Sequence, residues 1–273
     1  MNYIQSLRNA DPRYYQMSVL GVFLLYGLFG LKFEITFLHA LIAILSVCIF
    51  QYIGSKLVGL ISVDYKSALI SGISLTLLLR CSSLWLLIFA AAISIGSKFL
   101  IRTDSKHIFN PTNLGIVITI LLTGEAWVSP GQWGSAAFFA ITAAFLGMCV
   151  VNRSSRSDVA FSFIISYVFL LFMRALQLGD PLTIPLHQLM SGSLIIFTFH
   201  MISDPMTAPE NKVVRVLYGF AVAYAAYYFR FTLFEPNALI YALVILAPIV
   251  PVINKIFPGT PYRWNEFMVA RPV

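Results

Sequence analysis

Apolar residues dominate the chain in long blocks, and polar residues cluster in short connections between them. Ten stretches stand out, at 16–33, 36–62, 66–81, 83–101, 108–123, 134–151, 158–176, 185–202, 213–230 and 237–257. Most have the roughly 17–25 residues a helix needs to cross about 30 Å of hydrocarbon, at a rise of about 1.5 Å per residue. The pattern predicts an all-α integral membrane protein of about ten transmembrane helices. Residues 1–15 read as an amphipathic cytoplasmic leader, without a small-residue cleavage site, and 258–273 as a cytoplasmic tail.

Repetition refines this picture. Leu69-Ile70-Ser71-Gly72 is echoed 120 residues later by Leu189-Met190-Ser191-Gly192, and Phe109-Asn110-Pro111-Thr112-Asn113-Leu114 is echoed 125 residues later by Phe234-Glu235-Pro236-Asn237-Ala238-Leu239. These pairs place the third stretch on the eighth and the fifth on the tenth. An odd number of crossings per repeat inserts the two halves with opposite orientation, so the expected fold is a 5+5 inverted repeat of residues 16–125 and 134–257. Such folds place ligands at the interface of the repeats, where interrupted helices expose backbone groups.

Composition agrees: 59% of the 273 residues are hydrophobic, 11% are charged, and the mean hydropathy is +0.84. The net charge of +7 would suggest nucleic acid in a soluble protein; here the cations read first as topology signals. Fourteen of the 18 Lys and Arg residues lie at the termini or in connections after even-numbered stretches, and only Lys32, Arg80, Arg174 and Arg230 lie elsewhere. This asymmetry predicts a multi-pass inner (plasma) membrane protein with both termini cytoplasmic and lipid, not nucleic acid, as its surroundings. Cys48, Cys81 and Cys149 are widely spaced and read as small apolar residues. The four histidines show no metal-ligand spacing.

Polar side chains inside apolar stretches are expensive and therefore point to function. One cluster runs from Gly96-Ser97-Lys98 to Asn110-Pro111-Thr112-Asn113. Pro111 suits a first helical turn, whose free N–H groups and positive dipole end favour an acceptor or an anion; Asn110 and Asn113 can both donate and accept. That chemistry suits a heteroaromatic ring with imide edges, or an anion held by Lys98. Helix capping by Asn110 and a topology charge at Lys98 are the structural alternatives. A second cluster, Ser203-Asp204-Pro205-Met206-Thr207-Ala208-Pro209, is expected on the same face, where Asp204 could pair with Lys98 or Lys212 or accept from a ring, and Thr207 could cap a turn; a local Asx turn is its alternative. Arg80, at the outer end of the third stretch, either snorkels or faces an anionic partner. Ser71, Gly72, Ser74, Thr76, His187, Gln188, Ser191, Gly192 and Ser193 suit close helix packing.

The words Gly96-Ser97-Lys98-Phe99-Leu100, Lys106-His107-Ile108-Phe109-Asn110-Pro111-Thr112-Asn113-Leu114-Gly115 and Ser203 to Pro209, followed by Tyr218-Gly219, closely resemble the family of the Rnf complex D subunit (RnfD) and the B subunit (NqrB) of the sodium-pumping NADH:quinone reductase. The resemblance runs over roughly residues 60–257, and Trp127 to Gly134 looks most like short members associated with enediyne biosynthesis. It implies a ten-helix inverted repeat similar in outline to urea transporters, holding flavins and moving electrons across a membrane, in some members coupled to ions. By that resemblance Asn110, Asn113 and Asp204 would contact riboflavin or FMN near the cytoplasmic face, the residue pattern adds Lys98, Pro111, Thr207 and Arg80 as candidates, and a redox subunit or an extracytoplasmic flavoprotein is the expected partner. Long members attach FMN to the threonine of a Ser-Gly-Ala-Thr word. Here the nearest words, Gly134-Ser135-Ala136-Ala137 and Ser191-Gly192-Ser193-Leu194, lack it, so non-covalent binding is expected. The other expectation is a transporter or channel for a small solute, perhaps a flavin, on the same scaffold.

Overall fold

The computed structural model describes residues 11–30, 35–103, 106–131 and 137–262. The first ten residues of the leader, Lys32, the Gly134-Ser135-Ala136 word, Arg263, Arg271 and the end of the tail lie outside the described residues. Helices occupy all ten apolar stretches: α1 Pro12–Phe29, α2 Phe37–Leu57, α3 Tyr65–Leu78, α4 Trp85–Leu100, α5 Pro111–Thr123, α6 Ala137–Arg153, α7 Ser157–Leu178, then α8 Thr183–Leu189 with α9 Gly192–Ile196, α10 Lys212–Phe231, and α11 Ala238–Leu246 with α12 Ile249–Ile256. By length and composition alone, α2 and α7 can cross a membrane, as can α11 with α12 if that pair, bent by 45°, is one span; α3, α4, α5, Ala144–Arg153 of α6, and Gly192–Met201 are shorter apolar helices of 10–17 residues.

Polar caps set the helix starts. Thr36 Oγ1 accepts from His39 N–H, Asp64 from Ser67 N–H, and Asn211 from Val213 and Val214 N–H, each satisfying amides that a helix leaves open in its first turn. Two helices end on left-handed glycines, Gly124 after α5 and Gly179 after α7, with φ of 66° and 72°.

Three stretches depart from uninterrupted helix. The third stops at Leu78 because Leu79–Cys81 (β1) pairs antiparallel with Ala126–Val128 (β4), Arg80 opposite Trp127, so the ladder takes the backbone bonds a further turn would have used. Between them Arg102–Thr103 (β2) pairs with Lys106–His107 (β3). The eighth breaks at Met190–Ser191, where Gly192 N–H donates to Gly131 O at 3.1 Å and Ser193 N–H to Pro130 O at 3.2 Å, and α9 then runs into a π-helical turn, Phe197–Met201. The tenth bends between α11 and α12, at Pro248, which has no N–H to continue the ladder.

Three of the packing pairs in the first five helical regions have counterparts in the second five. α2 lies on α4 as α7 lies on α10; α4 on α5 as α10 on α11; α1 on α3 as α6 on α9 with its π turn. Across the halves α1 meets α6, α3 meets α9 and α5 meets α11. Close approach depends on small residues: a Cβ on Gly115 would run into the Ser94 hydroxyl and come within 2.6 Å of Ala90 O on α4, and one on Gly219 within 2.8 Å of Val159 O on α7. Large apolar side chains such as Leu45, Leu121, Ile165 and Leu217 point outward, an arrangement stable only where the surroundings are themselves apolar. This is an all-α membrane protein with two short ribbons. Cys149 faces outward on α6, while Cys48 and Cys81 are partly buried.

Candidate functional site

Most of the sequence-derived residues meet at one end of the bundle, the end carrying Arg13, Lys66 and Lys106. Asn110 caps α5, its Oδ1 accepting from Asn113 N–H at 3.1 Å, while its Nδ2 donates to Asp204 Oδ2 at 3.2 Å. The two matched words are thereby joined across the halves. Asp204 closes its own turn, accepting from Met206 N–H at 3.0 Å on Oδ1 and from Thr207 and Ala208 N–H on its carbonyl. His107 Nε2 stands 3.6 Å from Asp204 Oδ2. Pro111 opens α5 as expected. Asn113 is buried, and its Nδ2 donates to Ile240 O on α11 at 3.1 Å; its Oδ1 has no hydrogen-bond partner among the described residues.

Lys98 takes different partners from those expected. Its Nζ donates to Gln51 Oε1 at 2.8 Å and Ser67 Oγ at 3.0 Å, tying α4 to α2 and α3. Arg80 is not part of the cluster. It is buried at the other end of α3, where Nη1 donates to Thr76 O and Leu79 O at 2.9 Å.

A charged clasp closes the basic end. Arg13 bonds Asp11 at 2.6 Å and Asp64 at 2.9 Å, and Lys66 reaches Asp11 at 3.2 Å. Burial alone would raise the Asp11 carboxyl, but hydrogen bonds from the Arg13 side chain and backbone outweigh it and bring it down to about 2.

Three cavities flank the cluster, the smallest, of about 10 Å³, beside His200, Ser203 and Asp204. Another, of about 50 Å³, is lined by Ser67, Ser71, Ser74, Asn110, His200 and Asp204 among others; the third, of about 240 Å³, lies beside His107, Thr207, Glu210, Asn254 and Lys255. A larger cavity lies at the opposite end and measures about 670 Å³. Tyr167, Leu194, Phe197 and Leu239 give it apolar walls; His187, Gln188, Ser191, Ser193 and Asn237 give it hydrogen-bonding groups; Arg230 lies at its edge, donating to Pro236 O at 2.9 Å. It reaches inward to Met201, which also lines the 50 Å³ cavity. In the sequence His187, Gln188, Ser191 and Ser193 read as packing residues, and that reading misses the chamber. The signal that could have found it is the interruption of both repeat words by polar residues, at Ser191-Gly192-Ser193 and at Pro236-Asn237.

Residues 118–263, just over half of the chain, match the model of the NQR2, RnfD, RnfE family. The chain belongs to this family. The match spans the Asp204–Thr207 word and most of the chamber lining, while Lys98 and Asn110 precede it. The chain is also similar to the D subunit of the ion-translocating oxidoreductase complex of Erwinia tasmaniensis, 28% identical over 144 residues. That alignment covers 53% of this chain and 37% of the relative, so the chain spans little more than a third of that family member's length.

Proposed function

We propose that this chain is a flavin-binding membrane subunit of an electron-transfer system, holding riboflavin or FMN non-covalently and passing electrons between a cytoplasmic partner at the basic end and an extracytoplasmic flavoprotein or other acceptor. The chamber carries this reading. Its 670 Å³ falls within the range of about 300–1,000 Å³ typical of small-molecule sites, whereas the cavities at the Asn110–Asp204 end, of about 50, 240 and 10 Å³, fall below it. Phe197 and Tyr167 offer surfaces for a planar ring, and Gln188 and Asn237 offer amides for its polar edge. We therefore assign the ring to the chamber, with Asn110, Pro111, Asn113, Asp204 and Thr207 holding the two halves in register on its basic side and Lys98 bracing α4. Ser191, Ser193 and Leu194 of the nearest attachment-like word line the chamber, and that word carries no threonine, while Thr183 of the lining lies outside it; non-covalent binding accords with this. Family membership supports the membrane redox setting, the paired packing supports two opposed five-helix halves, and the cation asymmetry supports a cytoplasmic basic end.

The visible spectrum of the purified protein tests it. We expect flavin absorbance, as isolated or after reconstitution with riboflavin or FMN, and its loss in the Gln188→Ala/Asn237→Ala double variant. A protein that stays colourless after reconstitution with either flavin sinks the proposal.

A second reading follows from Met201. The chamber and the 50 Å³ cavity approach from opposite ends and share that side chain as a wall, the geometry of a solute path with a central partition. Uptake of labelled riboflavin into proteoliposomes without an electron donor would favour a transporter, and bleaching of a bound flavin by reductant without uptake would reject it.

A further inference from the structure

His200 sits in the π turn of Phe197–Met201, only 3% exposed, and neither ring nitrogen has a hydrogen-bond partner among the described residues. An imidazole always carries at least one N–H, and an unsatisfied polar group in a protein interior is costly. A π turn is itself a rare distortion that recurs at functional positions. The ring has an edge-on aromatic neighbour in Phe23, 6.5 Å away between centroids, and it lines two small cavities. The larger, about 50 Å³, exceeds the roughly 10–15 Å³ that one water requires. Hydroxyls of Ser71 and Ser74 from α3 and the carboxylate of Asp204 line it too, which supplies the two to four polar partners a held water needs.

The geometry points to a proton relay with His200 as its inner station. Asp204 lines both cavities with His200, and its Oδ2 stands 3.6 Å from His107 Nε2, which also lines the wider cavity of about 240 Å³ at the basic end. The His107 ring gives a proton to the Asp204 carboxylate, the Asp204 carboxyl gives one to water in the 50 Å³ cavity, and that water gives one to an imidazole nitrogen of His200. The donor is recharged from bulk water, and only O–H and N–H bonds are made or broken. The charged and titratable groups sharing these cavities are Arg13 from α1, His107 from β3 and Asp204 itself. What α3, α5 and α6 contribute is uncharged: Ser71 and Ser74, Asn110 and Thr112, Val150 and Ser154. Chains of Asp and His within a bundle are a recurrent way of carrying protons into a membrane. Met201, the next residue, is also a wall of the chamber, so the relay ends beside the space assigned above to a flavin, whose reduction takes up protons. That last connection rests on the flavin proposal; the relay does not.

The test uses the full chain in liposomes, with no flavin or electron donor added. Histidine is labelled with ¹⁵N, and the His200 ring is assigned by difference from His200→Phe, or from His200→Gln should the first variant fail to fold. We expect magnetisation exchange between water protons and the His200 ring in the wild type, its loss in Asp204→Asn, and its retention in Asp204→Glu. A His200 ring without water exchange in the wild type overturns the relay, as does exchange that is unchanged in Asp204→Asn. A colourless protein with intact exchange would reject the flavin reading alone.

Discussion

At Asn110 a single amide serves two elements, its oxygen capping α5 and its nitrogen reaching Asp204 in the other half of the chain. Losing the cap costs about 1 kcal/mol, and losing the link to the partly buried Asp204 carboxylate forfeits a hydrogen bond worth about 0.5–1.5 kcal/mol. Asn110→Ala should therefore lower thermal stability in detergent. Asn110→Asp keeps the cap but sets a second carboxylate against Asp204, so it should be less stable than Asn110→Ala at pH 8 and recover on acidification. Equal stability of the two variants across pH would show that the Asp204 link carries no weight. Asp11 makes a separate pH prediction. Its carboxyl is depressed to about 2 from an ordinary 3.8, so the stability it lends is fully present above the ordinary value and is lost as pH falls through about 2. Asp11→Asn should flatten the acid limb of the stability curve between pH 4 and pH 2, read by tryptophan fluorescence, and leave the slope above pH 5 unchanged. The residues of the Asn110–Asp204 junction were legible because asparagine, proline and aspartate have strong local preferences. The partners of Lys98 were not, since a lysine stem reaches whichever acceptor tertiary packing brings near, here Gln51 and Ser67.

For the elements, packing distance decides which changes are tolerated. Gly115→Ala would drive a methyl into Ser94 and toward Ala90 O, whereas Gly96, nearby on α4, has nothing within 4 Å of the site of a Cβ. We expect Gly115→Ala to cost about 1–3 kcal/mol through overpacking and Gly96→Ala to be neutral or slightly stabilising, both measured by unfolding in the same detergent. A Gly115→Ala protein as stable as the wild type would mean that α4 and α5 can part without loss. Hydropathy located all ten helical regions, because the length of an apolar run is a property of the run itself. It missed the strand Leu79–Cys81, the break at Met190–Ser191 and the π turn, because each depends on a backbone partner far away in sequence or on a neighbouring helix. The chamber was invisible for the same reason. Its lining comes from the ends of separate helices and their connections, and Ser191 reads locally as a packing residue.

The whole molecule presents a testable topology. The proposed ten-helix topology places the α6–α7 connection, at Ser155, and the α7–α8 connection, at Asp180, on opposite sides of the membrane. In a background without native cysteines, Ser155→Cys should react with an impermeant maleimide only from the cytoplasmic side and Asp180→Cys only from the outside; labelling of both from one side would exclude the ten-helix arrangement. The connection between the halves is also stitched to the broken helix: Gly192 and Ser193 N–H and the Ser191 hydroxyl all donate to the carbonyls of Pro130 and Gly131. At roughly 0.5–1.5 kcal/mol for each such bond, parting this seam costs about 2–4 kcal/mol. An open form at such a height is populated at only about 0.1–10%. Whatever enters the chamber by that seam therefore waits on a rare fluctuation, and a ligand already inside inherits a slow departure without needing a covalent bond to hold it.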